Sequence, residues 1–399
     1  MRRRTFTSIG SAILVVAMVA CSSGSSSSTA TPASTAVGAF ARAHYTTKLA
    51  GICPNPLIVQ ADWLPEADHG FLYQLIGGGG TQSQYTYEGP LGSTGINLEI
   101  LSGGPGLGLG VSQPSSLYVG NLVKRVTPDL AFVGTDDAIQ YSKQFPTTAI
   151  FAEYAKNPVS ILFDPARYQI RTLADLTSAV ASGAKIYVAS ATFSFVRWLI
   201  GQGIPASAFI GGYDGDLDKF VGSNGSLLNE GYSTNEVYTL EHLTPNWNKP
   251  VGYVYVADLG LPFYASAVSV ATNRMAALRP CLAKLVPLMQ HSLVDYVTSP
   301  GEVNELLADF NAKGLGAPFW HTPADLSAAA NQVMLADRLV ADTGGTPTIG
   351  GFDMSEVAAD ISQLVPIDQA AGMTSLDPDV TAGAVATNQF IDPTVGLTR

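Results

Sequence analysis

The sequence predicts an α/β protein in which short buried strands alternate with amphipathic helices. Two observations lead to this prediction. The 399-residue chain is 46% hydrophobic and only 13% charged, a composition that supplies a large core and argues against disorder. From residue 57 onward, short apolar runs alternate with longer helical patterns, the order that builds mostly parallel sheets.

The elements follow one another along the chain. We predict strands at 57–62, 96–101, 129–133, 148–155, 159–163, 185–189, 253–257 and 267–271. We predict helices at 66–76, 115–123, from 172 and at 194–202, with helical patterns dominating 275–364. Thr172, Ser299 and Thr322 each precede an acidic residue by three positions, which predicts that they cap helices. The small-residue segment 368–399 predicts a loosely packed or extended tail.

The amino terminus has the pattern of an export signal. Three arginines precede an apolar run over 9–20 that is too short to span a bilayer, and Cys21 and a serine-rich stretch follow. The segment MVAC ending at Cys21 is typical of a lipobox, so 1–21 is predicted to be a lipoprotein signal and Cys21 the lipidated residue. Residues 22–50 would form a Ser/Thr/Ala-rich tether. An ordinary cleaved secretory signal is the alternative. Both interpretations place the protein outside the cytoplasm, and the lipid would hold it on the outer face of a bacterial cytoplasmic membrane.

Charge and cysteine content exclude several classes of protein. The net charge is -11, and no run of Lys or Arg follows the signal, so a nucleic-acid partner is not expected. Cys53 and Cys281 would either pair in an oxidising exterior or remain two buried thiols, and their positions in sequence leave this open. The five histidines are scattered singly and no Cys–His spacing suits zinc, so neither a metal nor a cofactor is expected.

Candidate ligand-binding residues lie on the loops after the predicted strands, because ligands of open α/β sheets bind at the carboxyl ends of strands. Those loops mix aromatic rings with carboxylates, amides and hydroxyls, which suits a small planar or polar solute. The candidates are Asp62, Trp63, His69, Tyr73, Gly103, Gly104, Thr135, Tyr154, Ser190, Thr192, Ser194, Tyr213, Asn235 and Glu236.

Some residues near these loops have competing interpretations. His69 suits a buried helix face as well as a cleft. Asp136 and Asp137 are predicted to be a charge pair at a helix start. Three further tryptophans, Trp198, Trp247 and Trp320, are assigned to packing.

Three segments carry a resemblance to a known family. They are VQADWLPEADHGFLYQ at 59–74, ILSGGPG at 100–106 and GYSTNEVYTLE at 231–241. The chain resembles the substrate-binding proteins of bacterial ABC importers, in the branch shared by nitrate, sulfonate and taurine binders and thiamine-pyrimidine synthase-like binders. The resemblance covers roughly 57–310, and 368–399 has no counterpart in that family.

The resemblance implies a type II periplasmic-binding-protein-like fold, in which two lobes close on a ligand like a hinged trap. Each lobe would be a mixed, mostly parallel sheet flanked by helices, with crossover strands as the hinge. Lobe 1 would comprise 51–155 and 256–367, lobe 2 would comprise 156–255, and 368–399 would be a tail. The implied partners are a small-molecule ligand and an ABC permease, and the protein would be a monomer. Among the candidates, the resemblance places Trp63, His69, Tyr73, the turn at 103–106, the segment 190–194, Asn235 and Glu236 against the ligand.

An enzyme is not predicted. The sequence has neither a G-x-S-x-G elbow nor an H-E-x-x-H motif, and it lacks the cysteine-rich motif of the pyrimidine-synthase relatives. A sensory lipoprotein without transport is a third alternative. For the ligand, stacking on Trp63 and Tyr73 and hydrogen bonds to Asp62 and Glu236 favour an aromatic heterocycle such as an amino-pyrimidine. A sulfonate or nitrate would call for a cation, for which Lys156 is the candidate.

Overall fold

The computed structural model describes residues 45–108, 111–343 and 348–397, so the predicted signal, Cys21 and most of the tether lie outside the described residues. Its strands are β1 (Leu57–Gln60), β2 (Thr81–Ser83), β3 (Thr86–Pro90), β4 (Asn97–Leu101), β5 (Leu130–Val133), β6 (Thr147–Phe151), β7 (Val159–Phe163), β8 (Lys185–Tyr187), β9 (Phe209–Ile210), β10 (Leu227–Tyr232), β11 (Gly252–Tyr255) and β12 (Ala267–Ala271). Its α-helices are α1 (Gly70–Ile76), α2 (Gln113–Val119), α3 (Thr135–Gln140), α4 (Leu173–Ala181), α5 (Ser194–Gly201), α6 (Asp218–Gly222), α7 (Glu236–Tyr238), α8 (Val256–Leu259), α9 (Met275–Thr298), α10 (Gly301–Ala312), α11 (Ala324–Ala336), α12 (Met354–Ala370) and α13 (Ala382–Val385). Among these helices, none combines the length and apolarity that a membrane crossing needs.

The described strands form two mixed sheets, one in each lobe. The seven-stranded sheet of lobe 1 has the order β2-β3-β4-β1-β5-β12-β6, and the five-stranded sheet of lobe 2 has the order β11-β7-β10-β8-β9. In lobe 1 the neighbouring strands β4, β1 and β5 are parallel, β12 is antiparallel to β5, and β6 is antiparallel to β12. In lobe 2 the neighbouring strands β9, β8 and β10 are parallel, β7 is antiparallel to β10, and β11 is antiparallel to β7. The antiparallel strand is β12 in lobe 1 and β7 in lobe 2. The predicted fold class, two α/β lobes with a mixed sheet in each, is confirmed; of the ten described strand pairings, four are parallel and six are antiparallel.

The chain crosses between the lobes twice. Residues 152–158 lead from β6 into β7, and residues 260–266 lead from α8 back into β12. In both cases the strand that enters a lobe becomes the antiparallel strand of its sheet. The two crossovers therefore form the hinge, and the side chains on them lie at the base of the space between the lobes.

The central strands formed where they were predicted because they are apolar on both faces. All residues of β5, β6, β7 and β12 are buried, as expected for strands covered by helices on both sides. The hairpin of β2 and β3 was not predicted, because β2 is short and largely exposed and carries no apolar run.

The predicted helix caps are correct in one case of three. Thr172 caps α4: its Oγ1 accepts from Asp175 N at 3.2 Å, while Asp175 Oδ2 accepts from Thr172 N at 3.0 Å. The other two helices begin one residue later than predicted, with Pro300 and Pro323 at the cap positions. Thr322 is not free to cap, because its Oγ1 accepts a hydrogen bond from Asn311 Nδ2.

The carboxy-terminal segment joins the two lobes. Helix α12 packs against α3 of lobe 1 and α5 of lobe 2, and Trp198 Nε1 on α5 donates to Gln363 Oε1 on α12 at 2.8 Å. The tail, predicted to be loosely packed or extended, has Asp368, Val385 and Phe390 buried, whereas most residues of 369–397 are partly or fully exposed. The tail has neither a helical nor a strand period, so its burial depends on tertiary contacts that no local pattern reveals.

A disulfide closes the start of the described chain onto lobe 1. Cys53 and Cys281 are bonded, with 4.8 Å between their Cα atoms and 228 residues between them in sequence. Of the two states that the sequence left open, the structure has the disulfide. It holds the segment before β1 against α9.

Candidate ligand-binding site

A cavity of about 210 Å³ lies between the lobes, where carboxyl ends of strands from both sheets face each other. Lobe 1 and the second crossover contribute Asp62, Trp63, Glu66, Asp68, His69, Ser266 and Trp320. Lobe 2 contributes Ala189, Phe193, Tyr213, Asp214, Gly215, Glu230, Gly231, Tyr232, Asn235 and Glu236. The predicted residues Asp62, Trp63, His69, Tyr213, Asn235 and Glu236 are thus brought together from both lobes.

Asp62 is held at the end of β1 by two hydrogen bonds. His69 Nε2 lies 2.6 Å from its Oδ1, and Ser266 Oγ donates to its Oδ2 at 2.5 Å. Burial raises the pKa of Asp62, but the His69 hydrogen bond and charge, with the Ser266 hydrogen bond, outweigh it and hold the pKa below its ordinary value. His69 borders the cavity but is itself 1% exposed and packs edge-on against Phe132. Both interpretations of His69, a buried helix face and a position in the cleft, therefore apply: its ring is buried, and it orients a carboxylate of the cavity.

The loop that carries Trp63 depends on the predicted glycine turn. Gly103 N donates to Trp63 O at 2.7 Å, and Gly104 N donates to Asp62 O at 3.0 Å. The two glycines therefore lie behind the loop and do not line the cavity. The Trp63 ring meets Trp320 edge to face, with 6.0 Å between ring centroids. Trp320 packs with Leu64 and Ala317, as assigned, and it also forms part of the cavity wall.

Two buried glutamates form the lobe 2 wall. Glu236 accepts from Tyr213 OH at 2.7 Å through Oε1 and from Tyr232 N at 2.7 Å through Oε2. Glu230 Oε2 accepts from Ala189 N at 2.7 Å. Burial, with the neighbouring charge of Glu236, raises the pKa of Glu230 to about 7. Burial likewise raises the pKa of Glu236, although its hydrogen bonds oppose the shift.

Two hydrogen bonds join the lobes beside the cavity. Asn235 Nδ2 donates to Glu66 Oε2 at 3.2 Å, and Thr234 Oγ1 donates to Asp68 Oδ2 at 3.0 Å. Burial and the charges of Asp68, Glu236 and Asp62 raise the pKa of Glu66 well above its ordinary value. Burial raises the pKa of Asp68 to about 6, against the opposing charge of His69. The structure is therefore a state in which the lobes touch across the cleft.

The cavity is acidic and aromatic. Six carboxyl groups line it, those of Asp62, Glu66, Asp68, Asp214, Glu230 and Glu236, and its lining includes no Lys or Arg among the described residues. Five aromatic rings complete the wall: Trp63, Phe193, Tyr213, Tyr232 and Trp320. Within the described part of the chain, no group of three or more acidic, histidine or cysteine side chains is arranged to hold a metal ion.

Phe193, within the predicted segment 190–194, does line the cavity. Several other cavity residues were not predicted: Glu66, Asp68, Ala189, Asp214, Gly215, Glu230, Gly231, Tyr232, Ser266 and Trp320. Glu66 and Asp68 stand in the first turns of a predicted helix, where acidic residues are common for dipole reasons alone. Ser266 carries one local signal, a non-glycine φ of 51°, which is visible only in the structure.

The remaining predicted site residues lie outside the cavity. Tyr73 stacks on Tyr87 in the lobe 1 core, Thr135 Oγ1 accepts from the backbone of Tyr264, and Tyr154 is fully buried on the first crossover. Ser190 and Thr192 bond to each other, and Ser194 Oγ donates to Asp136 across the seam between α3 and α5. Lys156, the candidate cation for an anionic ligand, pairs with Asp258 at 2.8 Å instead.

Replacing Gly103 with alanine is expected to displace the Trp63 loop. A Cβ at residue 103 would lie 2.2 Å from the backbone carbon of Asp62, and a backbone cannot rotate away. We expect a loss of about 1–3 kcal/mol in unfolding free energy, with altered tryptophan fluorescence of the native state. Urea denaturation followed by fluorescence measures both. Gly79→Ala is the control, because nothing lies within 4 Å of a Cβ there. Equal stability of the two variants would show that the turn is not under steric constraint.

Comparison with known proteins gives structural neighbours only. No protein-family model and no curated protein matches the sequence. The alkanesulfonate-binding protein SsuA from Xanthomonas axonopodis pv. citri, bound to MOPS, is 11% identical with a TM-score of 0.48, over 84% of this chain and 99% of that one. The aliphatic sulphonate-binding protein SsuA from Escherichia coli is 13% identical with a TM-score of 0.45, over 83% and 92%. An ABC transporter structure from Parabacteroides distasonis is 12% identical with a TM-score of 0.48, over 84% and 100%.

Proposed function

We propose that this protein is an extracytoplasmic solute-binding protein of an ABC importer, which captures a small ligand between its two lobes. The observation that carries the proposal is the cavity between the lobes, whose wall is built from both of them and which the Asn235–Glu66 and Thr234–Asp68 hydrogen bonds border. A ligand that contacts both walls stabilises the closed arrangement by its differential affinity for that arrangement.

The proposal includes the location and the partner. The lipobox at Cys21 supports a lipid anchor on the outer face of the cytoplasmic membrane. The tether would be the Ser/Thr/Ala-rich stretch before Tyr45, because Tyr45 and Leu49, at the end of the predicted tether 22–50, are buried in the lobe 1 core. An ABC permease in that membrane would receive the ligand from a monomeric receptor. The lobes, the hinge and the tether are the parts that such a delivery needs.

The ligand that we propose is a small flat nitrogen heterocycle of the amino-pyrimidine kind. Trp63, Tyr213 and Trp320 offer ring surfaces, and the cavity carboxylates accept hydrogen bonds from amino groups. A sulfonate, nitrate or taurine ligand is less favoured, because Lys156, the residue expected to bind such an anion, is paired with Asp258 and lies outside the cavity lining. Cys53 and Cys281 are joined as a disulfide, so neither supplies the free thiol that a cysteine-based enzyme would need.

A thermal-shift screen of the protein from Ser22 onward tests the proposal. The panel would contain pyrimidines, thiamine, riboflavin, taurine, alkanesulfonates, nitrate and aromatic acids. Because a ligand that binds only the folded state raises Tm by mass action, one class should produce a concentration-dependent rise. A rise with taurine or alkanesulfonates alone would refute the heterocycle and keep the receptor.

Trp63→Ala is expected to abolish this ligand-dependent rise. The substitution removes a half-buried ring from the cavity wall, so affinity should fall roughly 10- to 100-fold while the Tm of the unliganded protein stays nearly unchanged. Phe319→Ala, which removes an exposed ring next to Trp320 but outside the cavity, should keep the rise. A large loss of unliganded stability in Trp63→Ala would instead assign the ring to the core.

A further inference from the structure

We infer that the ligand is a small organic cation, a flat protonated nitrogen base whose positive charge is shared among several N–H groups. Amidinium, guanidinium and protonated amino-heterocycles have this chemistry. The inference rests on the proposed function, because it concerns the ligand of the same cavity. It adds that the ligand is positively charged and that it donates hydrogen bonds through N–H groups.

The first argument is charge. Six carboxyl groups surround a cavity whose described lining has no Lys or Arg, and His69 is already engaged with Asp62. An anion placed there would meet the charge of Asp62 and would raise the pKa of the other carboxyl groups further, in surroundings that screen charges poorly. A cation would instead offset both the desolvation of the carboxylates and their mutual repulsion, the two causes that raise the pKa of Glu66 and of Glu230. Each group gains its charged form when a cation binds.

The second argument is the use of carboxylate oxygens. Both oxygens of Asp62 and both of Glu236 already accept hydrogen bonds from the protein. Glu66 and Glu230 accept through Oε2, and no hydrogen bond from a described residue reaches the Oε1 of either one. At least one carboxyl oxygen on each lobe therefore remains as an acceptor. A ligand with N–H groups on two sides would bond both and draw the lobes together.

The third argument is the aromatic wall. Trp63 and Trp320 belong to lobe 1, whereas Phe193, Tyr213 and Tyr232 belong to lobe 2. Ring faces attract a desolvated cation, most strongly those of tryptophan. A quaternary ammonium would satisfy the rings but has no N–H to donate to Glu66 or Glu230. A flat N–H-bearing cation satisfies both sets, and it also stacks.

Three probes that share one phenyl ring test whether the cavity prefers a cation, a neutral molecule or an anion. Benzamidine is a cation, benzamide is its neutral counterpart and benzenesulfonate is an anion on the same ring. Isothermal titration of the protein from Ser22 onward should give saturable binding of benzamidine, roughly 10- to 100-fold weaker binding of benzamide and no binding of benzenesulfonate, as expected for a charge-assisted hydrogen bond. Glu66→Gln and Glu230→Gln should each weaken benzamidine by the same factor and change benzamide little. Glu305→Gln, which neutralises an exposed carboxylate on α10, should leave all three constants unchanged.

The outcomes distinguish this inference from the receptor function. Binding of benzamide or benzenesulfonate at least as tight as that of benzamidine overturns the cation and keeps the receptor. Absence of binding by all three also overturns the flat cation. In that case, a Tm rise with the small-molecule fraction of a cell extract would still support the receptor function. No rise would count against both the receptor function and the cationic ligand. Equal loss of benzamidine affinity in Glu305→Gln would show that only the net charge of the protein matters.

Discussion

Replacing Arg197 with alanine is expected to lower the free energy of unfolding by about 3–5 kcal/mol, because it leaves a buried carboxylate without its cation. Arg197 on α5 reaches Asp368 on α12, with Nε and Nη2 at 2.9 and 2.7 Å from Oδ1. Its Nη2 also donates to Gln140 Oε1 on α3 at 2.9 Å. Asp368 is 0% exposed, and its Oδ2 has no hydrogen-bond partner among the described residues. One guanidinium thus joins lobe 2, lobe 1 and the carboxy-terminal helix.

Urea denaturation at pH 7 measures the effect. Arg279→Ala is the control, because Arg279 is an exposed arginine inside a helix and its loss should cost less than about 0.5 kcal/mol. The double variant Arg197→Ala/Asp368→Ala should be more stable than Arg197→Ala, since it no longer buries an unpaired charge. A single variant as stable as wild type would show that water reaches Asp368 and solvates it.

The elements of the fold could largely be predicted because the central strands carry their own signal. A run such as Leu130–Val133 is apolar on both faces, and this pattern survives without any knowledge of its neighbours. The sequence could not place the tail. Val385 and Phe390 lie in a small-residue segment without a regular period; Val385 is buried where α13 packs against α12 and β6, and Phe390 joins the lobe 1 core.

Candidate site residues that directly follow a strand could be predicted from the sequence. Those that reach the cavity through tertiary contacts could not. Asp62 and Trp63 directly follow β1, and Asn235 and Glu236 follow β10, so the rule of carboxyl ends finds them. Tyr73 was predicted to face the ligand, but it lies in the core. A 3-10 turn at 67–69 precedes α1, and the helix face that carries the Tyr73 ring packs against the core. Glu230 sits inside β10, where nothing local distinguishes a buried functional carboxylate from an exposed one.

The stability of the protein is expected to fall as pH rises from 5 to 8, and Asp360 should account for a large part of the change. Asp360 on α12 is 0% exposed, and neither of its oxygens has a hydrogen-bond partner among the described residues. Burial, with the charges of Asp136 on α3 and Glu356 on α12, raises its pKa to about 8. An unfolded aspartate ionises near pH 3.9.

The sign of this effect follows from proton binding. Between pH 4 and 8 the native state keeps a proton on Asp360 that the unfolded state has lost, so a rise in pH favours unfolding. For one such group the loss between pH 5 and 8 is about 2–4 kcal/mol. Asp68 and Glu230, with pKa values raised to about 6 and about 7, act in the same direction over narrower ranges.

Asp360→Asn tests this account, because asparagine keeps the shape of the side chain and cannot ionise. The variant should lose less stability than wild type between pH 5 and 8, and at pH 8 it should be the more stable of the two. Urea denaturation at four pH values across this range measures the slope. Asp379→Asn, at an exposed position, should follow the wild-type curve. If Asp360→Asn also follows that curve, the carboxyl group ionises normally in the native protein, and the seam between α3 and α12 must admit water.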